Sequence, residues 1–133
     1  MAETKKILIV DDEAPMRSAL RRLLADDDRY YLEEACDGFD AEEKIREFLP
    51  DLVILDVKMP RHKYGHEICL HIKNNPLTKH IKVVALSGFE GDINRTIMVE
   101  RCGADCFFEK PFDNNEFKKK ISELLCQEKT DEK

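Results

Sequence analysis

Five polar residues of this chain stand at the ends of short apolar runs. Asp11 and Asp12 follow the run 7–10, Asp56 closes 52–55, Ser87 follows 83–86, and Lys110 lies just past 106–108. Such runs, rich in β-branched residues, read as strands buried on both faces. If they lie parallel in one sheet, their carboxyl ends share one edge, where three carboxylates, one hydroxyl and one ammonium converge. Each residue alone says little, because an Asp after a strand is a common turn former or helix cap. Well-defined strands all ending on chemically matched groups say more.

Two unit charges ~4 Å apart repel by ~4 kcal/mol at an effective dielectric of about 20. Three bare carboxylates in one pocket therefore need a proton or a cation. Oxygen-only donors suit Mg²⁺, which keeps several waters and prefers one or two carboxylates plus a phosphate. The open coordination predicts a phosphoryl ligand. Lys110 and Ser87 supply an ammonium and a hydroxyl able to hold its oxygens.

The elements that position these residues alternate. A helical stripe of Met16, Ala19, Leu20, Leu23 and Leu24 follows the first strand and ends at Asp26-Asp27-Asp28. A weaker strand spans 30–35, and Asp37-Gly38 reads as a turn. Ala41, Ile45 and Phe48 mark a second helix stopped by Pro50. Ile68, Cys69 and Ile72 mark a third, broken by Asn74-Asn75-Pro76. The fourth helix, about 92–102, has the weakest pattern, with Ile93, Ile97 and Met98 apolar and Gly103 as a left-handed cap. The last opens on Asp113-x-x-Glu116, a capping-box pattern, and continues with Phe117, Ile121, Leu124 and Leu125. The order βαβαβαβαβα predicts an α/β fold of three layers, a five-stranded parallel sheet wound on both faces. Ligand sites in such sheets lie at the carboxyl ends of the strands.

A chain of 133 residues is the size of one domain, and at that length folding hides roughly two thirds of the unfolded surface. We expect a single domain over 1–133, with its core at about 5–125 and a polar tail at 128–133. The net charge of −6 argues against direct nucleic-acid binding. Arg17, Arg21 and Arg22, and Lys118, Lys119 and Lys120, read as solvated helix faces. Five cysteines without a C-x-x-C fit reduced thiols in the cytoplasm better than a disulfide framework. Cys102/Cys106 and His62/His66 sit four apart, but the wider spacing of structural zinc sites is absent. No signal peptide or spanning segment appears, so no membrane association is expected.

Asp11-Asp12, the segment 52–60 (Leu-Val-Ile-Leu-Asp-Val-Lys-Met-Pro), the segment 84–88 (Val-Ala-Leu-Ser-Gly) and the segment 103–112 (Gly-Ala-Asp-Cys-Phe-Phe-Glu-Lys-Pro-Phe) together resemble the bacterial response-regulator receiver family over residues 5–125. The resemblance implies the flavodoxin-like (βα)5 fold with strand order 2-1-3-4-5, the order for which the chemotaxis receiver is a standard example. It implies that Asp56 is the phosphoacceptor, taking a phosphoryl group from a sensor histidine kinase or a histidine phosphotransfer protein. Asp12 would be the direct ligand of Mg²⁺ (or Mn²⁺), with Asp11 helping, Asp56 itself binding, and the main-chain carbonyl of Lys58 a further ligand. Lys110 would pair with phosphoryl oxygens, and Lys110-Pro111 resembles the family's cis peptide. Ser87 and Phe107 occupy the switch positions, the aromatic turning inward as the hydroxyl moves toward the phosphoryl group. A downstream protein or output domain would read the face of the fourth helix, fifth strand and fifth helix, with the chain a monomer or a phosphorylation-dependent dimer. It would be a phosphoacceptor signalling domain of a two-component phosphorelay and no enzyme beyond its own phosphorylation and dephosphorylation.

Two features depart from the pattern. Arg61, His62, Lys63 and Tyr64 separate Pro60 from Gly65, a loop one residue longer than usual and basic. The switch aromatic is Phe and lacks a hydroxyl. The nearest alternative is an unphosphorylated pseudo-receiver acting as a protein–protein interaction module, which the loss of Asp12, Asp56 or Lys110 would favour. A phosphohydrolase would want a general acid/base two residues after the nucleophile, where Lys58 stands. A flavin carrier would want a phosphate loop after the first strand, where Asp11-Asp12-Glu13 would repel it.

Overall fold

A computed structural model describes residues 4–57, 64–88 and 96–126. In chain order the elements are β1 (Lys5–Val10), α1 (Ala14–Leu24), β2 (Tyr30–Ala35), α2 (Gly38–Phe48), β3 (Leu52–Asp56), α3 (Tyr64–Asn74), β4 (Lys82–Ser87), α4 (Thr96–Arg101), β5 (Cys106–Glu109) and α5 (Asn114–Cys126). All four strand pairings are parallel. The order across the sheet is β2-β1-β3-β4-β5, as expected.

Successive side chains of a strand point to opposite faces, and here that alternation feeds two cores. Leu8, Val10, Val53, Leu55, Val83, Ala85 and Phe107 face Ala41 and Ile45 of α2, Ile68 and Ile72 of α3 and Met98 of α4. Ile7, Ile9, Leu52, Ile54, Val84 and Leu86 face Leu20 and Leu24 of α1 and Phe117, Ile121 and Leu124 of α5. Central strands buried on both sides explain the unbroken apolar runs. Ala19, expected on the buried stripe of α1, is exposed.

Side-chain caps fix the starts of α2 and α5. The Asp37 carboxylate accepts the Asp40 N–H at 2.9 Å, so Asp37-Gly38 is the cap and first residue of α2 rather than a free turn. Asp113 Oδ1 accepts from the N–H groups of Asn115 and Glu116 at 2.8 and 3.1 Å, the Asp113 half of the expected capping box.

The fourth helix differs from expectation. Its first residues, 92–95, lie outside the described residues, as does the tail 128–133. Over Thr96–Arg101 the hydrogen bonding is of π type, and the Cys102 N–H reaches Ile97 O, five residues back, at 2.9 Å. Gly103 closes the segment with φ 84°, the left-handed geometry expected of it. The Cys69 thiol of α3 donates to Cys102 O at 3.3 Å, which ties the end of α4 to its neighbour. Burial pushes that thiol up to about 12, and all five cysteines are free. Among the described residues, no helix is long and apolar enough to cross a membrane.

Pro50 follows the end of α2, but Leu49 makes the turn, in the left-handed region with φ 50°. An L-residue there sits about 1–2 kcal/mol above its right-handed conformation, and Leu49 is 52% exposed, so little packing repays it. Leu49→Gly should therefore stabilise the fold by about 1 kcal/mol after glycine's larger entropy loss is counted. A urea midpoint that moves up with an unchanged slope is the expected result; a downward move would show that the exposed leucine contributes more than its strain costs.

Candidate functional site

The carboxyl edge of the sheet brings together what the sequence separates. Carboxylate oxygens of Asp11, Asp12 and Asp56 lie within 4.8 Å of one another, the one such group of potential metal ligands among the described residues. Lys110 Nζ stands 3.7 Å from Asp56 Oδ1 and 4.0 Å from Asp11 Oδ2. Asp11 and Ser87 are fully buried, Asp56 is 4% exposed, and Asp12 is half-buried. The Asp56 carboxylate is thus almost closed off from solvent.

The pleat decides which side each group takes. Within β3 the alternation places Asp56 on the side of Ile54, over α1 and α5, while Asp11 and Lys110 lie just past the ends of β1 and β5 and the Lys110 ammonium stands near both carboxylates. Ser87 and Phe107 share the side of Ala85, over α3 and α4. Asp56 and Ser87, the last residues of β3 and β4, stand one register step apart at the same carboxyl edge. The Lys110 N–H donates to Ser87 O at 2.7 Å, which ties the end of β5 to that of β4. The Lys110-Pro111 peptide is cis, as the resemblance implied. Phe107 is 6% exposed and packs in the α3/α4 core.

Asp11 is held at three atoms. Its N–H donates to Ala35 O at 3.2 Å, Oδ1 accepts the Glu13 N–H at 2.9 Å, and its carbonyl accepts from Arg17. Oδ2 is buried and accepts no hydrogen bond. Burial, partly offset by the Glu13 N–H and the Lys110 ammonium, holds the Asp11 carboxyl above the ordinary carboxylate range. One ammonium against three carboxylates leaves a deficit of positive charge, and Asp11 Oδ2, which accepts no hydrogen bond, meets that ammonium only at 4.0 Å. The donor set, all oxygen and all anionic, fits a divalent cation. Lys58, expected to lend its carbonyl, lies outside the described residues, as does the basic loop with Arg61, His62 and Lys63.

Gly65, in the first turn of α3, lies against the end of β3. A Cβ there would stand 2.7 Å from Val57 O and 3.1 Å from Asp56 O. The start of α3 thus presses on the backbone that carries Asp56, a closeness available only without a side chain.

A family description, the response regulator receiver domain, matches residues 7–122, and the chain belongs to that family. The chain is 38% identical over 123 residues to histidine kinase P4 of Formosa agariphila, covering 92% of this chain and 9% of that one. It is 33% identical over 121 residues to the chemotaxis protein CheY of Halobacterium salinarum, covering 91% and 97%. The crystal structure of the signal receiver domain of a DNA-binding response regulator (merR) from Colwellia psychrerythraea 34H matches with a TM-score of 0.86 at 31% identity, covering 92% and 99%. The chain spans about half the length or less of many curated relatives it matches. The cluster of Asp11, Asp12 and Asp56 is the family's phosphoacceptor site, and the catalysis of such a domain is confined to its own phosphorylation and dephosphorylation.

The electrostatics make a test of the site without any ligand. The unfolded Asp11 ionises near 3.8 and the folded one higher. Folding therefore binds a proton between the two, and stability falls as pH rises through that window. Asp11→Asn removes the penalty. It should be more stable than the parent at pH 7, on the order of 1 kcal/mol, with the advantage vanishing below pH 4. Chemical denaturation across pH 3–8 checks this; a variant less stable at neutral pH would mean that Lys110 outweighs the cost of burial.

Proposed function

We propose that this domain accepts a phosphoryl group on Asp56 with Mg²⁺ held by Asp11, Asp12 and Asp56, and passes the change on through Ser87 and Phe107. The observation that carries the reading is the meeting of Asp56 with two further carboxylates and the Lys110 ammonium at the carboxyl edge of a parallel sheet. An Asp56 oxygen forms the new O–P bond as the P–N bond of a donor phosphohistidine breaks, the electron pair staying on the donor's imidazole nitrogen. Lys110 is placed to hold a phosphoryl oxygen and to offset charge that grows by roughly −1.5 to −2 on the acceptor. Mg²⁺, when bound, neutralises the carboxylates and the incoming oxygens. Its choice over other divalent ions rests on the hard oxygen donors, with Mn²⁺ the nearest substitute.

We read residues 1–133 as a single receiver domain with its core at about 5–125. The donor would be a sensor histidine kinase or a phosphotransfer protein. In support, Met16, Leu20, Leu23, Pro111 and Phe112 line an apolar groove of about 560 Å³ that opens beside Lys110. Burial at the centre and charge at the rim suit a transient protein partner. Output would pass through the face of α4, β5 and α5, because Ser87 and Phe107 lie on the side of the sheet that α4 covers. The two forms of the domain would differ in population, the phosphoryl group favouring one.

Acetyl phosphate with Mg²⁺ should add the mass of one phosphoryl group to the intact protein, and Asp56→Asn should abolish the gain. Normal labelling of that variant would overturn the assignment of the acceptor. A parent that binds Mg²⁺ but never gains mass would point to the pseudo-receiver alternative. Lys110→Ala should still take weak label, because the acceptor and the cation ligands remain, yet lose the response. Amide chemical-shift changes at Ser87 and Phe107, present in the labelled parent, are expected to be absent in the labelled variant; their persistence would remove Lys110 from the switch.

A further inference from the structure

We infer that Arg17 is a positioning residue for the cation-binding Asp11-Asp12 turn, an inference that rests on the reading of the site above. The run Arg17/Arg21/Arg22, expected to be a solvated helix face, is not uniform. Arg17 leans inward with its side chain 18% exposed against 45% for Arg21. Its Nη1–H donates to the main-chain carbonyl of Asp11 at 2.8 Å, and its Nε–H donates to Glu34 Oε1 at 3.1 Å. Arg21 takes the other oxygen of the same carboxylate at 2.5 Å but makes no bond to Asp11. Lys44 of α2 donates to Glu34 O at 2.6 Å, which fixes the strand carrying that carboxylate.

These bonds fix Asp11 from both sides. Its N–H is tied to β2 through Ala35 O, and its carbonyl is tied through Arg17 to Glu34, also on β2. The two peptide planes flanking the Asp11 Cα are thereby set. With them are set the direction of the Asp11 carboxylate and the point from which Asp12 departs. Three carboxylates that repel one another will otherwise relax apart. A planar guanidinium making two charge-assisted bonds at fixed angles is suited to resist that, as a single-point ammonium is not. Groups that hold ligands in this way change metal affinity without touching the metal.

The inference separates from a purely electrostatic role by sign. Removing a positive charge near a cation site tightens cation binding through Coulomb's law alone, whereas losing the brace weakens it. A purely structural role would lower the urea midpoint and leave the affinity of the folded protein unchanged. Calorimetric titration of the full chain with MgCl₂ reads the difference. Arg17→Met, which keeps the apolar stem, should weaken Mg²⁺ binding by about tenfold. Arg21→Met, which breaks into the same Glu34 carboxylate, should bind Mg²⁺ like the parent. Should Arg17→Met fail to fold, Arg17→Lys, which keeps the charge but gives up the two-point fork, takes its place with the same expected direction. Unchanged or tighter binding in the folded Arg17 variant overturns the inference and leaves the site reading intact. Equal weakening in both arginine variants overturns it as well, since the effect then belongs to Glu34. A parent chain that takes up no Mg²⁺ removes the site reading and the inference together.

Discussion

Repulsion among Asp11, Asp12 and Asp56 sets the terms on which the rest of the structure is built. Their oxygens are confined within 4.8 Å with one nearby ammonium. Left to themselves such groups separate or take up protons. What confines them is the sheet beneath, where Ile7, Leu8, Ile9, Leu52, Ile54 and Leu55 are completely buried. Each such side chain contributes about 1.5–3 kcal/mol, so the two cores can tolerate a few kcal/mol of electrostatic conflict at one edge. The same conflict gives the site its affinity for positive charge.

The pleat then divides the labour. Asp56 closes a strand whose alternate residues Leu52 and Ile54 pack under α1 and α5, and Phe107 packs on the side covered by α3 and α4. Lys110, whose ammonium stands 3.7 Å from Asp56, is linked through its backbone N–H to Ser87 O. In the proposed reading this is how a local electrostatic event reaches a distant face without a large rearrangement. α4 is suited to receive it. Its π-type bonding is less regular than an α-helix, and its end is gripped by Cys69 while Met98 stays wholly buried.

Much of this was legible in the sequence. Unbroken apolar runs gave β1, β3 and β4, because central parallel strands have no solvent face to encode, while the edge strand β2 showed only as a weaker run. The polar residue closing each run gave the site, because a parallel sheet gathers carboxyl ends. Gly103 and Asp113 announced their caps. What stayed hidden is tertiary or degenerate. Ile97 and Met98 alone cannot distinguish 3.6 from more than four residues per turn, so the π bonding of α4 left no signal. The left-handed Leu49 was masked by Pro50, which explains a stop but not its geometry. Arg17 looked like one of three solvated arginines, because its partners, Asp11 O and Glu34, become neighbours only when β2 lies beside β1.

A two-residue repeat also decides where this chain can change length. Adding or deleting one residue inside β3 would carry Asp56 across the sheet to the company of Ser87, and every apolar side chain beyond the change would cross with it. Nothing of the kind follows from a residue added between Pro60 and Gly65, which lies past the end of the strand. Length can therefore be added there, between β3 and α3, without moving the register of β3.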